Sequence, residues 1–142
     1  NVNGTVLWYA KSVVDNPCNY GTLLRTNYWR YPALQPSMPF IDDDAPSKPK
    51  RVKARHEDDG YYLTWKAPRG EGWNDAPYRY VVYCFQPHEP INLDDPSKIV
   101  AMPYENRLRL NYQGGQTKYV FVITALDRMS NESSGKKKKV KL

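Results

Sequence analysis

A mainly β chain, an antiparallel β-sandwich preceded by a short strand–helix segment, is what this 142-residue sequence predicts. Three observations predict it. Aromatic and β-branched residues supply most of the apolar positions, with 12 Tyr, 4 Trp and 3 Phe among the valines, a mix that suits strands better than helices. The 12 Pro and 8 Gly fall between the apolar runs, where they punctuate turns and linkers. After residue 50 the apolar positions recur with period two, the spacing that puts side chains on one face of a strand.

The elements follow in order. Residues 5–10, Thr-Val-Leu-Trp-Tyr-Ala, form a compact apolar run suited to a buried strand. Asn16-Pro17 then starts a helix, because Asn can cap free amides and Pro is tolerated in the first turn. Leu23, Leu24 and Tyr28 are spaced to share a face of that helix. Tyr31-Pro32 closes it, since the residue before a proline is pushed out of the α region. Asp42-Asp43-Asp44-Ala45-Pro46-Ser47-Lys48-Pro49 combines acidic residues with spaced prolines and reads as a stiffened linker. The boundary falls there, with the strand–helix segment and linker in residues 1–45 and the sandwich in 46–142.

In the second part Val52 and Ala54 alternate with basic residues, Asp58-Asp59-Gly60 turns the chain, and Tyr61, Leu63 and Trp65 continue the alternation. Residues 78–85 make the longest central strand. Tyr80, Val82 and Cys84 lie on one of its faces and Arg79, Val81 and Tyr83 on the other, so either face can be covered. Residues 99–102, 108–112, 119–126 and 136–142 give four more strands. Seven short strands with turns between them predict two packed antiparallel sheets.

Composition excludes several classes. No stretch approaches 18 apolar residues, so no membrane-spanning helix is expected. The first residues lack the basic-then-apolar pattern of a signal peptide, and any targeting signal is expected upstream. Cys18 and Cys84 are too far apart and too different in setting to suggest a metal cluster or disulfide framework, and two free thiols are expected. The net charge of +6 owes five charges to Lys136, Lys137, Lys138, Lys139 and Lys141, which leaves +1 for the rest. The basic character is therefore local. Lysines on an edge strand oppose unwanted sheet pairing, and that reading is favoured over a polyanion or nucleic-acid contact; no nucleic-acid partner is expected.

The second part resembles the fibronectin type III family, an immunoglobulin-like fold. The resemblance rests on the prolines before the first strand, on Trp65-Lys66-Ala67-Pro68, on Tyr80-Val81-Val82-Tyr83, on Tyr119-Val120-Phe121-Val122-Ile123-Thr124-Ala125 and on Asn131-Glu132-Ser133-Ser134-Gly135. It implies that Trp65 sits at the core centre and that Tyr119 is a corner tyrosine bonded to nearby backbone. Gly114-Gly115 departs from the proline–glycine turn of the family.

The whole chain resembles the C-terminal end of a bacterial glycosylhydrolase-like protein of the family-10-like, barrel-containing group. The residues that carry this are 4–17, Tyr31-Pro32-Ala33-Leu34-Gln35-Pro36, and Ala125-Leu126-Asp127-Arg128-Met129-Ser130-Asn131-Glu132-Ser133. It implies that residues 1–45 are the last strand–helix unit of a barrel, with that barrel a partner in cis. It also implies a secreted or otherwise extracytoplasmic protein of carbohydrate metabolism, whose sandwich is a non-catalytic accessory domain. Residues 1–45 could dock on the sandwich or exchange between chains.

The chemistry of sugar hydrolysis needs two carboxyl groups roughly 5–9.5 Å apart. The acids Asp42-Asp43-Asp44, Asp58-Asp59 and Asp94-Asp95 all fall in expected turns or linkers, so no catalytic residue is assigned. His56 and His88 have no spaced partners for a metal, and no cofactor is implied. Trp8 and Tyr9, at the end of the first strand, could offer a flat face to a pyranose, although core packing is the commoner fate of such residues. Trp73, in the loop 69–77, is a stacking candidate beside Tyr78, against the plainer reading that it covers a core edge. An oligosaccharide or polysaccharide is the ligand class these aromatics would take.

Overall fold

The structure, a computed structural model, describes residues 6, 9–69, 72 and 75–142. Among the described residues seven strands follow one another as β1 (Lys50–Glu57), β2 (Gly60–Lys66), β3 (Arg79–Phe85), β4 (Ile99–Ala101), β5 (Arg107–Leu110), β6 (Lys118–Leu126) and β7 (Lys136–Lys141). They form a three-stranded sheet in the order β1-β2-β5 and a four-stranded sheet in the order β4-β3-β6-β7, with every pairing antiparallel. The chain crosses between sheets after β2, after β4 and after β5. This is the fibronectin type III-like sandwich that the spacing of the strands implied.

Alternation explains the core. Val52 from β1, Leu63 and Trp65 from β2, Leu110 from β5, Tyr80 and Val82 from β3, and Phe121 and Ile123 from β6 meet between the sheets. Trp65 is 3% exposed and packs edge-on against Tyr80, with ring centroids 5.3 Å apart. Its indole Nε1 is buried with no hydrogen-bond acceptor among the described residues. The indole is thus held by packing alone.

The strand β3 is buried on both faces. Opposite the core, Val81, Tyr83 and Phe85 pair with Thr124, Val122 and Val120 of β6, and all six are buried. The segment between β3 and β4 lies against this outer cluster, with the Lys98 ammonium 6.0 Å from the Phe85 ring and paired to Glu89. A Cβ added at Gly135 would fall on Cγ1 of Val122, so the approach to β7 is packed down on the same cluster. The Tyr83 hydroxyl and the Thr124 hydroxyl both donate to Glu132 Oε1, at 2.7 and 2.6 Å. Burial, and then the Glu132 carboxylate, push the Tyr83 phenol far above its ordinary value.

Three expectations are corrected. Tyr119 makes no corner hydrogen bond among the described residues. It shares the core-facing parity of Phe121, and its ring packs there instead, 6.5 Å from that of Phe121. The fifth strand ends at Leu110 rather than 112, because the chain leaves the ladder towards Gly114 and Gly115, whose φ angles of 93° and 71° make the turn. The described residues of 5–10 are not in a strand: Val6 is 92% and Tyr9 61% exposed, and Ala10 precedes a helical turn α1 (Lys11–Val14).

Backbone contacts divide the chain into residues 1–36 and 37–142. In the first unit a 3-10 turn (Pro17–Asn19), α2 (Tyr20–Leu23) and a π turn (Leu24–Tyr28) run on as the expected helix. Asn16 stands outside it in the left-handed region at φ 48°, and its Oδ1 accepts from the Thr22 amide at 3.1 Å, in the first turn of α2. Leu23 and Tyr28 are 50% and 78% exposed and Leu24 is half-buried, so the expected apolar face is only partly covered among the described residues. This division falls before the expected boundary at 45/46, and in between Met38 and Asp42 are hydrogen-bonded to the β6–β7 loop.

Candidate functional site

At one end of the sandwich lie the start of β3, the end of β6, the residues after β4 and the β6–β7 loop. Hydrogen bonds tie them together: Tyr78 N to Leu126 O at 2.7 Å, Tyr80 N to Pro103 O at 2.9 Å, and Ser133 N to Ala125 O at 2.9 Å. Two constructions occupy this end.

The first is a polar knot. Asp127, 2% exposed, accepts from the amides of Met129 and Asn131 at 2.8 Å each and from the Asn131 side chain at 2.9 Å. Ser130 takes the left-handed conformation, φ 64°, that lets the loop close around this carboxylate. Asn131 Nδ2 also donates to the carbonyl of Asp42 at 3.0 Å, and the Met38 amide donates to the Met129 carbonyl at 3.1 Å. A buried polar group costs stability unless it is bonded, and here the bonds of Asp127 and Asn131 are made to the loop and to the connector. Asp127-Arg128-Met129-Ser130-Asn131, part of one of the three stretches that carried the glycosylhydrolase-like resemblance, is therefore a clamp on residues 38–42.

The second is an aromatic ledge. Tyr78 and Tyr104 are 47% and 61% exposed and meet edge-to-face, 5.5 Å between centroids. The Arg79 guanidinium lies 4.8 Å over Tyr104 while its Nε donates to the Met102 carbonyl at 2.7 Å. Arg128 lies 4.9 Å over Tyr78. Of the aromatics expected to contact sugar, Trp8 and Trp73 lie outside the described residues. Tyr9 is exposed, with its carbonyl accepting from the Ser12 amide in the unit of residues 1–36. Tyr104 and the two arginines were not singled out from the sequence, because only pairing of β3 with β4 and β6 brings positions 79, 104 and 128 to the same end.

Three residues of the acidic clusters have structural partners. Asp42 accepts from the Asp44 amide, Asp95 from the Ser97 amide, and Asp59 from the Tyr62 hydroxyl. The carboxyls of Asp59, Glu89 and Asp95 are held below their ordinary values, chiefly by side-chain hydrogen bonds from Tyr62, Lys98 and Ser97 respectively. A general acid for glycoside cleavage needs the opposite shift. Among the described residues no group of three His, Cys, Asp or Glu gathers as a metal site, and no helix is long and apolar enough to cross a membrane. Cys18 and Cys84 are free thiols.

At the opposite end His56, Tyr61 and Tyr112 cluster with centroids 4.5–4.9 Å apart beside a cleft of about 510 Å³. Arg109 closes one wall and donates to the Asp59 carbonyl at 2.6 Å. This cluster packs the β1–β2 turn against the exit of β5.

No family model matches the sequence. A curated relative does. The chain is 29% identical, over 142 residues, to the glycosyl hydrolase YngK of Bacillus subtilis strain 168, and the match covers 99% of this chain. It spans 27% of the length of that relative. Among solved structures, the chain is similar to an Fn3-like protein from Clostridium thermocellum, 20% identical with a TM-score of 0.49, over 68% of this chain and 92% of that one. It is also similar to the spore cortex lytic enzyme SleM of Clostridium perfringens, 14% identical with a TM-score of 0.45, over 68% of this chain and 28% of that one. The fold itself stands on the strand order, β1-β2-β5 facing β4-β3-β6-β7.

Proposed function

We propose that residues 37–142 are a non-catalytic accessory module of a bacterial glycoside hydrolase, a sandwich that fixes its own leading segment, residues 38–42, and serves beside a sugar-hydrolysing barrel. The single observation that carries this is the clamp: a loop spends a buried carboxylate and a buried amide on fixing residues 38–42. A freely spacing domain needs no such hold. The relation to glycosyl hydrolase YngK supplies the activity of the proposed parent, and supports a location outside the cytoplasm, where polysaccharide substrates lie.

In this reading the chain neither cleaves nor retains neutral glycans. Affinity electrophoresis through gels containing xylan, cellulose or chitin fragments tests it, together with a reducing-sugar assay. Unretarded migration and no sugar release are expected. A second reading, direct sugar binding, is favoured by the exposed Tyr78–Tyr104 ledge. Retardation in a neutral glycan that disappears in Tyr104→Ala would replace the first reading with the second.

A further inference from the structure

The outer face of the four-stranded sheet carries a second, separate feature. Alternation along β6 and β7 puts Lys118, Lys137, Lys139 and Lys141 on that face, all exposed. The register sets Lys118 directly opposite Lys141, and Lys139 opposite Val120. Like charges directly opposite one another weaken a sheet. No carboxylate forms an ion pair with any of the four among the described residues. Lys118, Lys139 and Lys141 line a cleft of about 410 Å³ with exposed Pro87 and His88 at its side.

Edge protection accounts for lysines on β7, which is an edge strand. It does not account for Lys118, which lies on the interior strand β6 and worsens the repulsion. Alternate residues of a strand lie about 6.8 Å apart, so the ammonium groups track a chain bearing repeated anionic groups better than they hold one small anion. A single nucleic-acid strand would need several aromatic rings to stack its bases, and here Tyr119 packs towards the core, which leaves the one imidazole of His88. The exposed Pro87 ring at the side of the cleft instead offers aliphatic surface to the C–H face of a pyranose.

We infer that the cleft between β6, β7 and the segment holding His88 binds an acidic polysaccharide, its carboxylates or phosphates neutralised by Lys118, Lys139 and Lys141. The choice of a sugar chain rests on the accessory-module reading; the anionic character rests on the cleft alone.

The test is affinity electrophoresis of the full chain in gels containing polygalacturonate, a phosphomannan or neutral dextran, with single-stranded DNA as competitor. Retardation by one of the anionic glycans and not by dextran is expected, and which of the two binds distinguishes carboxylate from phosphate. For three neutralised charges at a slope of about −0.7 each, binding should weaken roughly 20-fold at most between about 50 and about 200 mM salt. Lys118→Gln should cut retardation severalfold while leaving the unfolding midpoint unchanged or higher, because it relieves the repulsion from Lys141. Lys66→Gln, at the end of β2, should migrate like the parent chain. Wild-type retardation by Lys118→Gln would overturn the inference, as would free migration of the unaltered chain in both anionic gels. Tighter binding of DNA than of either glycan would overturn the sugar assignment and leave the accessory reading standing.

Discussion

Replacing Asn131 by alanine isolates the clamp. The side chain is 7% exposed and its Nδ2 serves both Asp127 Oδ2, at 2.9 Å, and the Asp42 carbonyl, at 3.0 Å. A hydrogen bond to a charged partner contributes about 1.5–3 kcal/mol and one to a neutral carbonyl about 0.5–1.5 kcal/mol. Water cannot readily replace either at a buried site, so Asn131→Ala should destabilise the sandwich by about 2–4 kcal/mol. Asp127 keeps the amides of Met129 and Asn131, which leaves the loop able to fold. The denaturant midpoint should therefore fall with little change in slope. Hydrogen exchange gives the decisive measurement: the Met38 amide, bonded to the Met129 carbonyl, should lose protection by more than amides in β3 and β6 do. A loss of stability below about 0.5 kcal/mol, with Met38 as protected as before, would refute the claim that the loop holds the connector.

Two further outcomes follow from the core and from the outer face. Trp65→Ala should cost about 3–5 kcal/mol, since the indole is 3% exposed between the sheets; denaturant unfolding showing a loss under about 1 kcal/mol would mean that the core is centred elsewhere. The Glu89–Lys98 pair predicts acid sensitivity in the segment between β3 and β4. Lys98 holds the Glu89 carboxyl below its ordinary value, so the pair favours folding above the unfolded glutamate value of about 4.3 and loses that contribution as pH falls through the lower folded value. Glu89→Gln should flatten this acid limb when exchange of residues 86–98 is followed against pH, and an unchanged limb would show that the pair holds nothing down.

Much of the sandwich was legible because a half-buried strand writes its burial into every second residue. Leu63 and Trp65, Tyr80 and Val82, and Phe121 and Ile123 declare the core face without any knowledge of partners. The outer face of β3 was ambiguous for the same reason: Val81, Tyr83 and Phe85 are as apolar as the core set, and only packing of the β3–β4 segment and Gly135 over them decides that they are covered too. The first 36 residues were less legible. Their helix was expected, but among the described residues Leu23 and Tyr28 of its apolar face are exposed, because period alone says which residues share a face and not what covers it.

Sequence alone determined that residues 50–141 form seven antiparallel strands and that Asp59 and Asp95 sit in turns, since alternation and turn chemistry are local properties of the chain. Tertiary structure alone decided where distant residues meet. It brought Asn131 to Asp42, Tyr104 to Tyr78, and Lys118 opposite Lys141. Strand register and sheet order set those meetings, and neither is written in the spacing of any single segment.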